Sequence, residues 1–280
     1  MVGLDSAPSS AQDDRMVDGL LIDIDGVLTV GWQPLAGAPE AFEELRRRGV
    51  PLRMLTNTTT RTRADIAELL TAAGFAVVVD DILTAPAATA AYLRTHHPGA
   101  RCFVLSSGDL GDDLAGIGIA GLDEEADVVV LGGAGLVYAH EQLNHAFGLL
   151  LGGAAFVAMH RNLYWRTAHG LELDTGAYVT ALEAATGVEP VVVGKPAPAF
   201  FEAGIRALDL PPRRVAMVGD DIENDVLGAQ ALGLRGILVR TGKFRAEAVA
   251  AAAGEPDVVV DSFADVPDLL DRVSDPDRRA

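Results

Sequence analysis

Asp23 and Asp25 close the apolar run "GLLIDID". Two residues apart on a strand, their side chains share a face, with Cα atoms about 6.5–7 Å apart. Like charges that close, beside an apolar core, resist burial unless something compensates them. Thr56 and Asn57 end a second apolar segment, "VPLRMLTN"; Lys195 ends "PVVVGK"; Asp220 and Asp221 end "RRVAMVGDD", and Asp225 falls in the first turn of the helix predicted next. Ligands of open parallel sheets bind beyond the carboxyl ends of the strands. Neighbouring strands would therefore gather these carboxylates, a hydroxyl and an amine at one site. Two unit charges at 4 Å repel by about 4 kcal/mol at an effective dielectric near 20. A hard cation with oxygen ligands, magnesium before others, offsets that repulsion and also holds phosphate oxygens. A carboxylate can be phosphorylated and released again, dividing one hard displacement into two easier ones. A second carboxyl that serves first as acid and then as base needs an environment unlike its neighbour's.

The elements that must position these groups alternate along the chain. "APEAFEELRRRG" and "TRADIAELLTAAG" have helical spacing and close on glycine, and "PAPAFFEAGIRAL" carries prolines suited to a first turn. "ENDVLGAQALG", the alanine run near residues 246–253 and "VPDLLDRV" are further predicted helices, with "RGILVRTG" and "PDVVVD" as strands between them. Continuously apolar strands separated by helices indicate a parallel sheet covered on both faces. Residues 86–190 form another α/β segment, rich in glycine, that does not repeat this pattern. The expected organisation is a disordered tail over 1–16, a core in two parts (17–85 and 191–280) and an inserted domain over 86–190.

"DIDGVLT", "MLTN", Lys195 and "GDDIEND" resemble, in order, the four motifs of the haloacid dehalogenase superfamily. The insertion between the second and third resembles the subgroup with a large α/β cap, which includes pyridoxal phosphatase and 4-nitrophenylphosphatase. The resemblance covers about residues 17–270 and implies an α/β fold, a Rossmann-like parallel-sheet core with an inserted α/β cap. It also implies roles. Asp23 would be the nucleophile that forms an aspartyl phosphate, and Asp25 the general acid and then base. Magnesium would be held by Asp23, the backbone carbonyl of Asp25 and Asp220, supported by Asp225, with Asp221 as a further candidate. Thr56 and Lys195 would bind the phosphoryl oxygens, with Asn57 placed beside them as a phosphate-binding residue or as one that positions the adjacent backbone. For Asn57 and Asp221 the residues themselves leave turn or helix capping equally open. In the cap, "HRNLYW" offers Arg161, Asn162, Tyr164 and Trp165 to read the leaving group, with packing of Tyr164 and Trp165 inside the cap as the other reading.

The expected function is a magnesium-dependent phosphatase of a small phosphorylated metabolite, with a homodimer through the cap as in related proteins. A phosphoryl transferase on the same site stays open, because only exclusion of water separates the two. A receiver-like phosphorylation switch uses similar residues, but such modules are near 120 residues and need no large insertion. Charge narrows the partners further. With 22 Lys plus Arg against 40 Asp plus Glu, a net charge of −18 excludes nucleic acid and anionic membrane as partners. One cysteine, Cys102, forms no intramolecular disulfide and suits a reducing cytoplasm. Two motif-like phrases fail: "VVVGKP" lacks the glycine and hydroxyl residue of a P-loop, and "GGAGLVY" lacks the third glycine of a dinucleotide fingerprint.

Overall fold

The computed structural model describes residues 17–167 and 170–274; the tail expected over 1–16 lies outside them. The first strand, β1 (Gly19–Ile22), is followed by a hairpin of β2 (Thr29–Val30) and β3 (Gln33–Pro34), then by β4 (Leu52–Thr56) and β5 (Ile82–Thr84). Next come β6 (Arg101–Leu105), β7 (Gly118–Ile119), β8 (Val128–Leu131) and β9 (Ala155–Ala158), a hairpin of β10 (Tyr164–Thr167) and β11 (Gly170–Leu173), and β12 (Val191–Val192). The last three strands are β13 (Val215–Gly219), β14 (Arg235–Val239) and β15 (Val258–Val260).

Six strands form one parallel sheet in the order β15-β14-β13-β1-β4-β5. Strand order reverses beside β1, so the crevice for a ligand opens at its carboxyl end. Alternation along β1 sends Leu20 and Ile22 to one face, against Phe42, Phe75 and Phe263, and Leu21 to the other, against Phe200 and Phe201. Both faces are thus apolar, which is why the strand reads as an unbroken hydrophobic run. Helices cover them: Ala38–Arg47, stopped by Gly49 at φ 75°, and Arg63–Ala72, started by a reciprocal cap between Thr62 and Asp65, on the first face. Pro198–Leu208 covers the second.

Apart from the two hairpins, the remaining five strands form a second parallel sheet, in the order β12-β9-β8-β6-β7. Its alternate residues divide the same way, Phe103, Val129 and Phe156 to one face and Cys102, Val128 and Val157 to the other. Cys102 is buried in β6, in keeping with its apolar neighbours.

Two expectations need correction. The pattern of "PVVVGK" predicts a core strand opening the segment 191–280, but Val191 and Val192 pair with Val157 and Ala158 in the second sheet. The inserted segment therefore runs past residue 190, and Lys195 enters the site on the loop leaving the second sheet. An apolar run of β-branched residues suits either sheet equally, and only pairing partners decide between them. "ENDVLGAQALG" is not one regular helix either. Ile222–Leu227 is a widened, π-type turn in which the N–H groups of Asp225 and Val226 both donate to the Asp221 carbonyl, and a short helix, Gly228–Gln230, follows.

Candidate active site

The carboxyl end of β1 delivers Asp23 to the floor of a cavity of about 580 Å³ lying between the two sheets. Asp23 is only 6% exposed, and its Oδ1 lies 2.7 Å from Nζ of Lys195. The same Nζ lies 2.7 Å from Oδ1 of Asp225, so one buried ammonium joins two buried carboxylates. Burial alone would drive a lysine toward neutrality, but Asp225 and then Asp23 hold the Lys195 pKa above its ordinary value. The π-type turn aims Asp225 back at the sheet, where its Oδ2 accepts from the N–H of Asp221 at 3.2 Å. Asp225 also packs closely on Gly219, where an added Cβ would come within 2.2 Å of its own.

Asp220 follows β13. Its Oδ2 accepts from the Lys243 backbone N–H at 2.7 Å, and its Oδ1 is buried without a hydrogen-bond partner. Burial pushes its pKa well above the carboxylate range. One oxygen each from Asp23, Asp220 and Asp225 lies within 4.8 Å of the other two. A buried all-oxygen cluster with an orphaned acceptor has the donors for a hard divalent cation. Space for Asp220 comes from two glycines in left-handed conformation. A Cβ on Gly26 (φ 91°) or Gly242 (φ 60°) would stand 1.9 or 2.0 Å from its Oδ2.

Asp25 is less buried and differs in setting. Burial, and then the Asp23 charge, raises its pKa from 3.8 to about 6, opposed by Lys243 and by a backbone hydrogen bond from Gly31 in the β2–β3 turn. A carboxyl raised toward neutrality in this way is suited to hold and release a proton, the property an acid–base group needs. Thr56 ends β4 with its Oγ1 on the cavity, held by Thr58 through a side-chain contact of 2.9 Å and a backbone one of 3.1 Å.

Asn57 takes up a backbone. Its Nδ2 donates to the Lys195 carbonyl at 3.0 Å and its Oδ1 accepts from the Lys195 N–H at 2.9 Å, so its amide clamps the lysine's backbone. Asp221 spends its carboxylate on the N–H groups of Glu223 and Asn224 and on the Asn224 amide, the capping alternative.

The four cap candidates separate. Trp165 lines the main cavity and is 43% exposed, which decides against packing inside the cap. Asn162 lines both this cavity and a neighbouring one of about 310 Å³, with its Oδ1 buried and unbonded. Arg161 and Tyr164 line the neighbouring cavity and not the main one. Arg161 is tied to Glu183 at 2.6 Å and Tyr164 lies under the Arg245 guanidinium, 5.8 Å from its ring centre, so neither meets the space above Asp23.

Sequence reasoning missed Lys243, His160 and Trp32, all on the main cavity. One signal was available for Lys243. The chain has two lysines, Lys195 and Lys243, among its 22 basic residues, and both line this cavity. Asp220, and then Asp23, hold the Lys243 ammonium charged against the effect of burial.

A family model described as haloacid dehalogenase-like hydrolase matches residues 20–120, and a second, described as HAD-hydrolase-like, matches 192–266. The chain is 38% identical over 232 residues to haloacid dehalogenase-like hydrolase domain-containing protein 2 of Bos taurus, covering 83% of this chain and 87% of that protein. It belongs to the haloacid dehalogenase-like hydrolases. Another member, phospholysine phosphohistidine inorganic pyrophosphate phosphatase of Danio rerio, is 33% identical over 271 residues, 95% of this chain and 98% of that one. Among solved structures of the family, p-nitrophenyl phosphatase from Archaeoglobus fulgidus superposes with a TM-score of 0.83 at 31% identity, covering 91% of this chain and 99% of that one. Glycerol phosphate phosphatase from Mycobacterium tuberculosis, in complex with magnesium, superposes with a TM-score of 0.79 at 30% identity, covering 89% and 76%. This haloacid dehalogenase-like hydrolase thus has the parallel-sheet core and inserted α/β unit that its motifs implied.

Proposed function

We propose that this hydrolase is a magnesium-dependent phosphatase of small phosphomonoesters that works through a phosphorylated Asp23. The observation that carries the reading is the cluster at the end of β1: Asp23 beside the Lys195 ammonium at 2.7 Å, with oxygens of Asp220 and Asp225 inside the same 4.8 Å. The phosphatases among its relatives, one in complex with magnesium, favour the same reaction class.

In the first step an Asp23 carboxylate oxygen forms a bond to phosphorus as the bond to the leaving oxygen breaks, and protonated Asp25 donates its proton to that oxygen. In the second, ionised Asp25 takes a proton from water as the water oxygen bonds to phosphorus and the Asp23–phosphorus bond breaks. Inorganic phosphate leaves and both side chains return to their starting forms. Lys195 and the Thr56 hydroxyl meet the phosphoryl oxygens; Asn57 keeps Lys195 in place through its backbone. Asp23, Asp220 and the Asp25 carbonyl, supported by Asp225, would hold magnesium. When bound, the ion neutralises carboxylate and phosphoryl charge together.

The test is turnover of 4-nitrophenyl phosphate by purified protein with magnesium, with chelator, and with calcium. We expect one inorganic phosphate released per nitrophenolate, none in chelator, and little with calcium, whose larger and looser shell misplaces the nucleophile. Full turnover of metal-stripped protein would overturn the metal assignment. Transfer of the phosphoryl group to an added alcohol in place of water would make it a transferase.

A further inference from the structure

The chain has two tryptophans, Trp32 and Trp165, and both line the cavity above Asp23. They come from different halves of the molecule, Trp32 from the β2–β3 turn beside the core sheet and Trp165 from strand β10 of the inserted segment.

Trp32 sits there against its backbone preference. Val30 pairs with Gln33, leaving Gly31 and Trp32 as a two-residue loop. Both are left-handed, at φ 56° and 64°. That combination is a type I′ turn, whose second position belongs by preference to glycine or asparagine. A bulky side chain at positive φ is an outlier, and such strain persists where the surroundings enforce it, characteristically at ligand clamps. The ring is held from outside the hairpin as well. The Arg61 guanidinium, on the loop after Thr56, lies 5.6 Å from its centre, and part of the indole packs on the core. Trp165 is equally costly in its own way, a large apolar side chain 43% exposed on a cavity wall.

We propose that Trp32 and Trp165 form an aromatic seat for a planar ring in the substrate's leaving group, so that the enzyme prefers aryl and heteroaryl phosphates to open-chain ones. The inference rests on the phosphatase reading and adds to it the class of substrate. A cavity of about 580 Å³ holds a phosphoryl group and such a ring together. Lys195 and Thr56 bind what all substrates share, whereas an indole from each half of the molecule contacts only what differs.

Phosphonates, which are not hydrolysed, separate binding from chemistry. Benzylphosphonate carries a flat ring and cyclohexylmethylphosphonate a puckered one of similar area. With magnesium-loaded enzyme we expect the flat ring to inhibit about tenfold more strongly, the scale of one stacking preference. It should also quench tryptophan emission, and in Trp165→Phe that emission reports Trp32 alone. Trp32→Gly, which relieves the turn, and Trp165→Leu should each bring the ratio of inhibition constants toward one. Trp165→Leu lies outside the strained turn and keeps the test valid if Trp32→Gly does not fold. Equal inhibition by the two rings in the native enzyme, or a preference that survives both substitutions, overturns the seat while leaving the phosphatase reading intact. Failure of both phosphonates to bind, with no turnover of 4-nitrophenyl phosphate, overturns the two together.

Discussion

Single residues in this site are defined by what their neighbours cost or supply. Asp23→Asn should abolish turnover, because an amide neither attacks phosphorus nor restores itself afterwards. Its unfolding midpoint should not fall: Lys195 keeps its 2.7 Å contact to Asp225, and one charge leaves a repelling cluster. Turnover at a substantial fraction of the native rate would remove Asp23 as nucleophile. His160 offers a different check. It is buried, 3.9 Å from Asp174, and its pKa is lowered from 6.5 by burial, with Lys243 and Lys195 acting in the same direction and Asp174 against them. Its folded pKa lies below its unfolded one, so the unfolded chain takes up the proton first as pH falls. The stability it contributes is full above about pH 6.5 and is lost as pH falls through the folded value. Thermal unfolding of the native protein and His160→Gln across that window should show the native advantage shrinking toward acid. An advantage that grows on acidification would mean that His160 is held as the cation.

At the scale of elements, the site depends on backbone departures from regular structure. The approach of Gly26 and Gly242 to Asp220 leaves no room for a methyl group. Gly242→Ala should therefore displace that carboxylate and weaken magnesium activation by about 10–100-fold, the usual cost of disturbing groups that orient a metal ligand. Titration of activity against magnesium checks this, with an unchanged half-saturating concentration as the contrary result. These departures also explain what the sequence could tell. Asp23, Asp220 and Lys195 were legible because motif and apolar run end at the same point. The membership of β12 was not, since "VVV" satisfies two sheets equally. Nor was the π-type turn, because one extra residue in a helical turn leaves no mark in composition. Asn57 was legible as a residue that positions backbone, but not in which backbone it holds. Its amide faces a backbone 138 positions away, and only the fold brings Lys195 there. Trp32 escaped because its significance comes from a two-residue loop, visible once Val30 and Gln33 pair.

The whole molecule is strongly acidic, yet its main cavity gathers the chain's two lysines, and the three-carboxylate cluster lies against it. A ligand that binds the folded state alone stabilises it by about 2.7 kcal/mol at a hundredfold excess over Kd. The unfolding midpoint should rise with magnesium in the native protein and stay fixed in Asp220→Asn; a rise of equal size in both would place the ion elsewhere. Among the described residues no helix is long and apolar enough to cross a membrane. The arrangement of cations has a practical consequence. Lysine occurs at two positions only, so the side-chain amines are Lys195, 2% exposed and doubly paired, and Lys243, held charged by its acidic neighbours. Acylating reagents attack neutral, accessible amines, and Lys195 is neither, whereas Lys243 is charged but half-buried on the cavity wall. Slow acylation of Lys195, set against that of Lys243 and followed by mass spectrometry, then serves as a clock for the opening of the cavity. Its rate counts excursions in which the carboxylates release a lysine to solvent, and a ligand that fastens the two halves together should slow it.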